Sequence, residues 1–348
     1  MGLSITPQKH FIGLVGFGTV ARGLCQILLE QREYLLKEHQ FDFEIVAVST
    51  RSRGTMYSPT GLSLSMLKAL AESDQPFTDH LRDWNSETMI RESNATVIVE
   101  LTHTNLVSGS PAINHCRAAF ETEKHVVSGN KGPAAVAYTT LKELADQKGL
   151  AFLNEATVLS GTPLFSLIKT ALAGNKIMGL RGILNGTTNF ILSEMEAGNT
   201  YDQALQSADL LGYLEANKTA DVEGFDAQAK LAILANILFK QSLNLDEIKR
   251  MGITGISALD VKTALLDGKH WKLVASLEIK ENQLVAEVKP EALALSDPLS
   301  QVSGTLNAIT FSTNLLGNVT ITGPGAGSIE TGYGILSDLL TINTGVFS

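Results

Sequence analysis

Asp226 and Lys230 stand four residues apart at the head of an apolar run, "KLAILANILF", so on a helix they share one face. A lysine in apolar surroundings can hand a proton to a developing alkoxide, and a carboxylate beside it can orient it. The same spacing also describes an exposed i, i+4 ion pair, which contributes only about 0.2–0.5 kcal/mol. Burial disfavours an ammonium and a neighbouring carboxylate favours it, so the two influences on Lys230 oppose one another. Three acids, Asp221, Glu223 and Asp226, crowd into the residues just ahead of the lysine. They do not form a calcium loop, because the glycine stands at the fourth position and Ala232 at the twelfth.

A second chemical motif is the glycine turn "GFGTVA", with Gly16, Gly18 and Ala21. It follows a buried-strand pattern, "FIGLVGF" (11–17), and precedes a helical pattern from Thr19 to Lys37. In a dinucleotide site the first glycine permits the tight turn. The second lets a pyrophosphate approach the backbone at the helix N-terminus. After the second strand, "FEIVAVST" (43–50), the chain reads "STRSRG", with Arg51 and Arg53 and no carboxylate. NAD sites carry an acid there for the ribose 2′-hydroxyl, whereas an arginine pairs with a 2′-phosphate. NADP is therefore the expected cofactor, with NAD as the alternative.

The elements that must position these motifs read as a doubly wound sheet. Strand, glycine turn, helix and strand form a βαβ unit, and such units build parallel sheets. Residues 54–93 are an excursion with one helix-like piece, "SMLKALAES". "ATVIVELT" (95–102), "HVVSGN" (125–130) and "AFLNEAT" (151–157) read as further strands, with helices opening near Pro111 and over about 133–148. Beyond residue 155 come a strand, glycine turn and helix in "LRGILNGTTNFILSEMEAG", then helical stretches over about 200–250. Four strand-like segments follow: "WKLVASLEI", "QLVAEV", "NAITFST" and "NVTITG". Helices followed by strands indicate an α+β second domain. The expected fold class is thus α/β, a Rossmann-type doubly wound parallel sheet plus an α+β domain.

Composition narrows the function. The 348 residues are 44% hydrophobic and 18% charged, which suits a large buried core. A formal charge of −9 gives no electrostatic attraction to nucleic acid or to an anionic membrane. Cys25 and Cys116 are the two cysteines, neither in a C-x-x-C or Cys/His cluster, which indicates a reducing compartment. The N-terminal apolar run is too short for a signal peptide, and the run near 231–239 is too short to span a bilayer. A cytoplasmic protein acting on small molecules is expected.

Together, "GFGTVA", "VVSGNKGPAA" (126–135), "GILNGTTNFIL" (182–192), "LGYLEANKTADVEGFDAQAKLAILA" (211–235) and "GPGAGSIETGYGILSDL" resemble homoserine dehydrogenases, in the right order over nearly the whole chain. The resemblance implies reversible NAD(P)H-dependent reduction of L-aspartate 4-semialdehyde to L-homoserine, on the route to threonine and methionine. It implies a dinucleotide-binding domain over 1–155 and a catalytic and dimerisation domain over 156–322. A C-terminal segment, 323–348, returns to the first domain. It also implies a homodimer of the short form, without an ACT or aspartate kinase domain.

By the same resemblance Lys230 is the catalytic proton donor or acceptor and Asp226 its acidic partner. Glu215 and Asp221 hold the substrate by its ammonium, while either Lys131 or the main-chain N–H groups at Gly186 and Thr187 suit its carboxylate. Lys131 touches the cofactor near the substrate and counts with Lys230 and Asp226 among the catalytic residues. Gly16, Phe17, Gly18, Thr19, Val20, Thr102 and Gly327 are cofactor contacts, beside Arg51 and Arg53. A monovalent cation, usually sodium, falls on Glu155, Val158, Ser160 and Thr162. Ala21 departs from the family's usual third glycine. Two other readings fit parts of the pattern: an aspartate-semialdehyde dehydrogenase, which needs a thiolate, and a cofactor sensor on the same fold without catalysis.

Overall fold

Residues buried on alternate faces along the first strands show why the sheet is covered on both sides. In the computed structural model, which describes residues 8–73, 75–214 and 218–347, the first strand is β1 (Lys9–Val15). Its Ile12 and Leu14 enter one hydrophobic cluster and its Val15 another. In the same way Val97 and Val99 of β5 (Val97–Glu100) face one cluster and Ile98 the other. Such two-sided burial produces the continuous apolar runs of parallel strands.

The other strands of this sheet are β2 (Asp42–Thr50), β3 (Gly54–Tyr57), β4 (Leu81–Arg82), β6 (His125–Ser128) and β7 (Phe152–Leu153). Their order is β4-β3-β2-β1-β5-β6-β7. The five strands from β2 to β7 are parallel, and β3 and β4 are antiparallel additions at the edge. The excursion at 54–93 therefore extends the sheet. It also holds two helices, Leu64–Ala71, capped by Ser63, and Ser86–Glu92, capped by Asn85.

Three expected elements are shorter or divided. The helix predicted from Thr19 to Lys37 breaks at Gln31 into Thr19–Glu30 and Arg32–His39. Arg32 explains the break: its guanidinium lies over the Phe43 ring and donates to Glu44 Oε1 at 2.7 Å, turning the second helix onto β2. The helix over 133–148 is two, Lys131–Val136 and Tyr138–Gln147. "AFLNEAT" keeps a strand only at Phe152–Leu153, because Glu155 N–H donates to Asp338 Oδ2 at 2.9 Å and residues 155–157 coil into a 3-10 turn.

Two compact units divide the chain, one formed by residues 1–161 with 327–348 and the other by 162–326. In the first, the helix Ser328–Asn343 packs on Thr19–Glu30, where a Cβ on Gly332 would lie 2.6 Å from Leu24 N. The second unit is a six-stranded sheet of order β13-β12-β8-β10-β11-β9. Its strands are β8 (Ile177–Ile183), β9 (Lys249–Arg250), β10 (Lys269–Lys280), β11 (Gln283–Ala294), β12 (Leu306–Thr313) and β13 (Gly317–Pro324). All pairings are antiparallel except β9 with β11. Helices Gly186–Glu196, Phe225–Leu234 and Ala258–Leu266 pack on β10.

Gly16 sits where the parallel strands switch direction of winding, between β1 and β5, with φ +97°. A Cβ there would lie 2.5 Å from Leu101 O. At Gly18 nothing lies within 4 Å of a Cβ. Gly16→Ala should lower unfolding stability by about 1–3 kcal/mol, while Gly18→Ala should stay within about 0.5 kcal/mol. Urea denaturation of the two variants checks this difference.

Candidate active site

In the second unit the site is built from the residue that ends one strand and caps the next helix. Asn185 follows β8 and caps Gly186–Glu196, its Oδ1 accepting from Thr188 N at 2.8 Å and Thr188 Oγ1 at 2.9 Å. Its other amide atom serves the acids: Nδ2 donates to Asp221 Oδ1 at 2.9 Å and to Asp226 Oδ2 at 3.1 Å. A single buried side chain thus joins the "NGTT" turn to the "DVEGFD" segment.

Asp226 and Lys230 lie on the helix Phe225–Leu234, which starts at Gly224 with φ +79° and is buried from Ala227 to Leu234. The ion pair measures 2.9 Å, with side-chain exposures of 8% for Lys230 and 13% for Asp226. An exposed surface pair is thereby ruled out. Lys230 Nζ also donates to Leu184 O at 2.5 Å, and Asn307 Nδ2 donates to the same carbonyl at 3.1 Å. Glu223 points elsewhere. Its Oε1 accepts from Thr254 Oγ1 at 2.8 Å, and its main-chain carbonyl accepts from Arg250.

Gly186 begins the capped helix, and a Cβ on it would lie 2.5 Å from Thr305 O. The Thr187 hydroxyl is committed, donating to Tyr213 O at 2.7 Å, so only its main chain can serve a ligand through an N–H. Glu215 lies outside the described residues. Asn185 is a site residue that the sequence does not single out. Its one signal there is an asparagine directly before a helical "GTTN", which reads only as a cap.

In the first unit, Gly16 N–H donates to Ser49 O at 2.8 Å, closing the turn after β1. Gly18 caps the next helix without any side-chain bond, and no acid stands in that helix's first turn, an arrangement open to an anion. Thr19 is exposed and its carbonyl accepts from Ser328 Oγ at 2.8 Å, next to Gly327 with φ +134°. Phe17 and Val20 pack into the core, so Phe17, only 6% exposed, can offer a ligand little beyond its main chain.

The two arginines separate. Arg51 is exposed. Arg53 turns inward: Nε donates to Gln75 O at 2.8 Å, Nη2 to Leu70 O at 2.9 Å, and the guanidinium lies 4.5 Å from the Phe77 ring centre. The expectation that Arg53 faces a 2′-phosphate is therefore corrected. Thr102 lies beyond β5, and Lys131 opens a helix capped by Asn130, whose Oδ1 accepts from Gly132 N at 2.9 Å.

Glu155 and Asp338 are both buried in this unit, and burial together with the Glu155 charge holds the Asp338 carboxyl well above its usual range. Val158 and Ser160 are buried beside Glu155 in sequence, Ser160 at φ +58° with its hydroxyl 2.7 Å from Thr331 Oγ1. Thr162, the first residue of the second unit, donates its hydroxyl to Pro324 O at 3.1 Å. Among the described residues no group of three or more His, Cys, Asp or Glu side chains could hold a metal.

Both thiols are buried, and burial pushes Cys25 up to about 12 and Cys116 well above the ordinary thiol range. Neither can supply the nucleophilic thiolate that an aspartate-semialdehyde dehydrogenase requires. No helix among the described residues is long and apolar enough to cross a membrane.

Comparison with known proteins identifies the family. Residues 16–155 match the family described as homoserine dehydrogenase, NAD binding domain, and residues 163–340 match homoserine dehydrogenase. The chain is 41% identical to the NAD(+)-dependent homoserine dehydrogenase of Pseudomonas canavaninivorans, covering 96% of each. It is 39% identical to the homoserine dehydrogenase of Methanocaldococcus jannaschii, covering 94% of this chain and 97% of that one. Among solved structures, a homoserine dehydrogenase from Thiobacillus denitrificans is similar with TM-score 0.83 and 30% identity, over 97% of this chain and 73% of the other. A hyperthermophilic archaeal homoserine dehydrogenase in complex with NADPH gives TM-score 0.82 and 28% identity, over 96% and 97%. With both family models matched and relatives of this identity aligned almost end to end, the chain belongs to the homoserine dehydrogenase family.

Proposed function

We propose that the chain interconverts L-aspartate 4-semialdehyde and L-homoserine with a nicotinamide nucleotide, with Lys230 as the proton donor and acceptor. The observation that carries this reading is the buried Lys230–Asp226 pair, bonded at the same time to Leu184 O. When bound, the nicotinamide supplies the hydride that reduces the aldehyde carbon. Lys230 then gives its proton to the alkoxide oxygen, and in the reverse direction it takes the hydroxyl proton. Two of its three N–H donors meet Asp226 and Leu184, which aims the ammonium and leaves the third for substrate. Asp221 and Glu215 receive the substrate ammonium, and the main chain at Gly186 and Thr187 receives its carboxylate.

The nucleotide's pyrophosphate is assigned to Gly16, Gly18 and the helix start at Thr19, with Gly327, Thr102 and Lys131 toward the nicotinamide. NADP is the proposed preference, supported by the exposed Arg51 and by the absence of a carboxylate in "STRSRG". The 41% identical relative is described as NAD(+)-dependent, so the ratio of the two activities is the informative quantity. Glu155 and the main chain of Val158 and Ser160 are proposed to hold sodium. A homodimer in the cytoplasm completes the reading; two free, buried cysteines suit a reducing compartment, and sedimentation velocity measures the oligomer.

Lys230→Ala should lower kcat by at least about 100-fold, with cofactor affinity nearly intact. Near wild-type turnover in homoserine-dependent reduction of NADP would show that another group moves the proton. Asn185→Ala, which removes the amide shared by Asp221 and Asp226, should reduce kcat about tenfold in the same assay. Arg51→Ala should shift the kcat/KM ratio from NADP toward NAD by about tenfold, and an unchanged ratio would refute its contact with the 2′-phosphate. Replacing sodium by tetramethylammonium should lower the melting temperature of the wild type but not of Glu155→Gln; equal sensitivity would dismiss the cation site.

A further inference from the structure

Glu100 closes strand β5 and is fully buried, at 0% exposure, among the apolar residues of the parallel sheet. The proton transfer assigned to the second unit does not use it. Its Oε1 accepts from Thr102 Oγ1 at 2.5 Å and lies 3.1 Å from His115 Nδ1, which approaches from the helix Ala112–Glu121. Among the described residues no donor reaches Oε2. A buried carboxylate with an unmet oxygen costs stability, and a valine like its strand neighbours would avoid that cost. The acid is better accounted for by what it holds.

It holds the end of the strand at the switch point, where doubly wound sheets bind ligands. Thr102 N would be 2.9 Å from a Cβ on Gly16, so Thr102 lies against the glycine turn. Because its hydroxyl proton is committed to Glu100, the Thr102 oxygen can act toward other groups only as an acceptor. Asn130 Nδ2 donates to Thr102 O at 3.0 Å and reaches Thr102 Oγ1 at 3.2 Å, while Asn130 Oδ1 caps the helix that Lys131 opens. The chain of bonds runs from Glu100 through Thr102 and Asn130 to the helix start.

We propose that Glu100 is a positioning residue for the nicotinamide end of the cofactor site. It presents the Thr102 hydroxyl as an obligate acceptor, matched to a donor such as the nicotinamide carboxamide N–H, and through Asn130 it sets the start of the Lys131 helix. This rests on the reading of Thr102 as a cofactor contact.

The experiment measures the dissociation constant of NADPH by fluorescence titration, with homoserine KM and melting temperature recorded for each variant. Glu100→Leu and Thr102→Val should each weaken binding about tenfold, a larger change than in homoserine KM. The double variant should bind no more weakly than the worse single one, because both break the same link. Glu100→Gln, whose carboxamide oxygen still accepts, should stay within about threefold of wild type. Asn130→Asp keeps the helix cap but loses the donor to Thr102, and should weaken binding as Thr102→Val does, which tests the chain even if Glu100→Leu fails to fold. Multiplicative losses in the double variant, or an unchanged constant for Asn130→Asp, overturn the proposal. An unchanged constant for Thr102→Val alone overturns the cofactor-contact reading beneath it.

Discussion

A lysine removed from water must keep its counter-charge and its hydrogen bonds, and the second unit is organised around that requirement at Lys230. Breaking a buried pair by removing one partner typically costs about 3–5 kcal/mol, because the remaining charge is stranded. Asp226 meets the ammonium from one helical turn earlier, and Leu184 O meets it from the end of β8. Asn185, the next residue, holds Asp226 and Asp221 on one amide and caps the following helix. Strand end, helix start and buried helix therefore share one hydrogen-bond system. A shift in any of them moves the Lys230 nitrogen.

The first unit meets a different constraint, close approach of backbone. Gly16 allows β1 to turn against Leu101, and Gly332 allows the helix Ser328–Asn343 to lie against Thr19–Glu30. Buried carboxylates accompany these approaches. Asp338 accepts the Glu155 N–H, and Glu100 accepts the Thr102 hydroxyl, each at an end of a parallel strand. The carboxyl edge of the sheet is thus ordered by side-chain acceptors as well as by strand pairing.

Much of this was legible in the residues. Short continuous apolar runs and the Gly16–Gly18 turn pointed to the parallel sheet, and the spacing of Asp226 and Lys230 pointed to a shared helix face. Spacing carries no information on burial, so whether that face was wet or dry depended on β8 and the following helix, which are far away in sequence. Arg53 shows the same limit. An arginine after the second strand suggests a phosphate, yet Gln75 and Leu70 offer it carbonyls and Phe77 offers it a ring. Helix breaks at Gln31 and Ala137 escaped detection because both adjoining segments are helical in pattern, and the breaks come from tertiary contacts such as Arg32 with Phe43. Asn185 and Glu100 were invisible as hubs, since a cap and a strand end are ordinary places for their residue types.

The division of the chain also affects the order in which it is synthesised. The helix Ser328–Asn343 is translated only after the whole of residues 162–326, yet it covers Leu24 and Leu28 and supplies the acceptor for Glu155. While the ribosome builds the second unit, the first has its strands but lacks the helix that buries one side of them. Apolar surface on the face of Thr19–Glu30 stays open during that interval, a condition in which nascent chains depend on chaperones to avoid association. Completion of the first unit thus follows synthesis of the second.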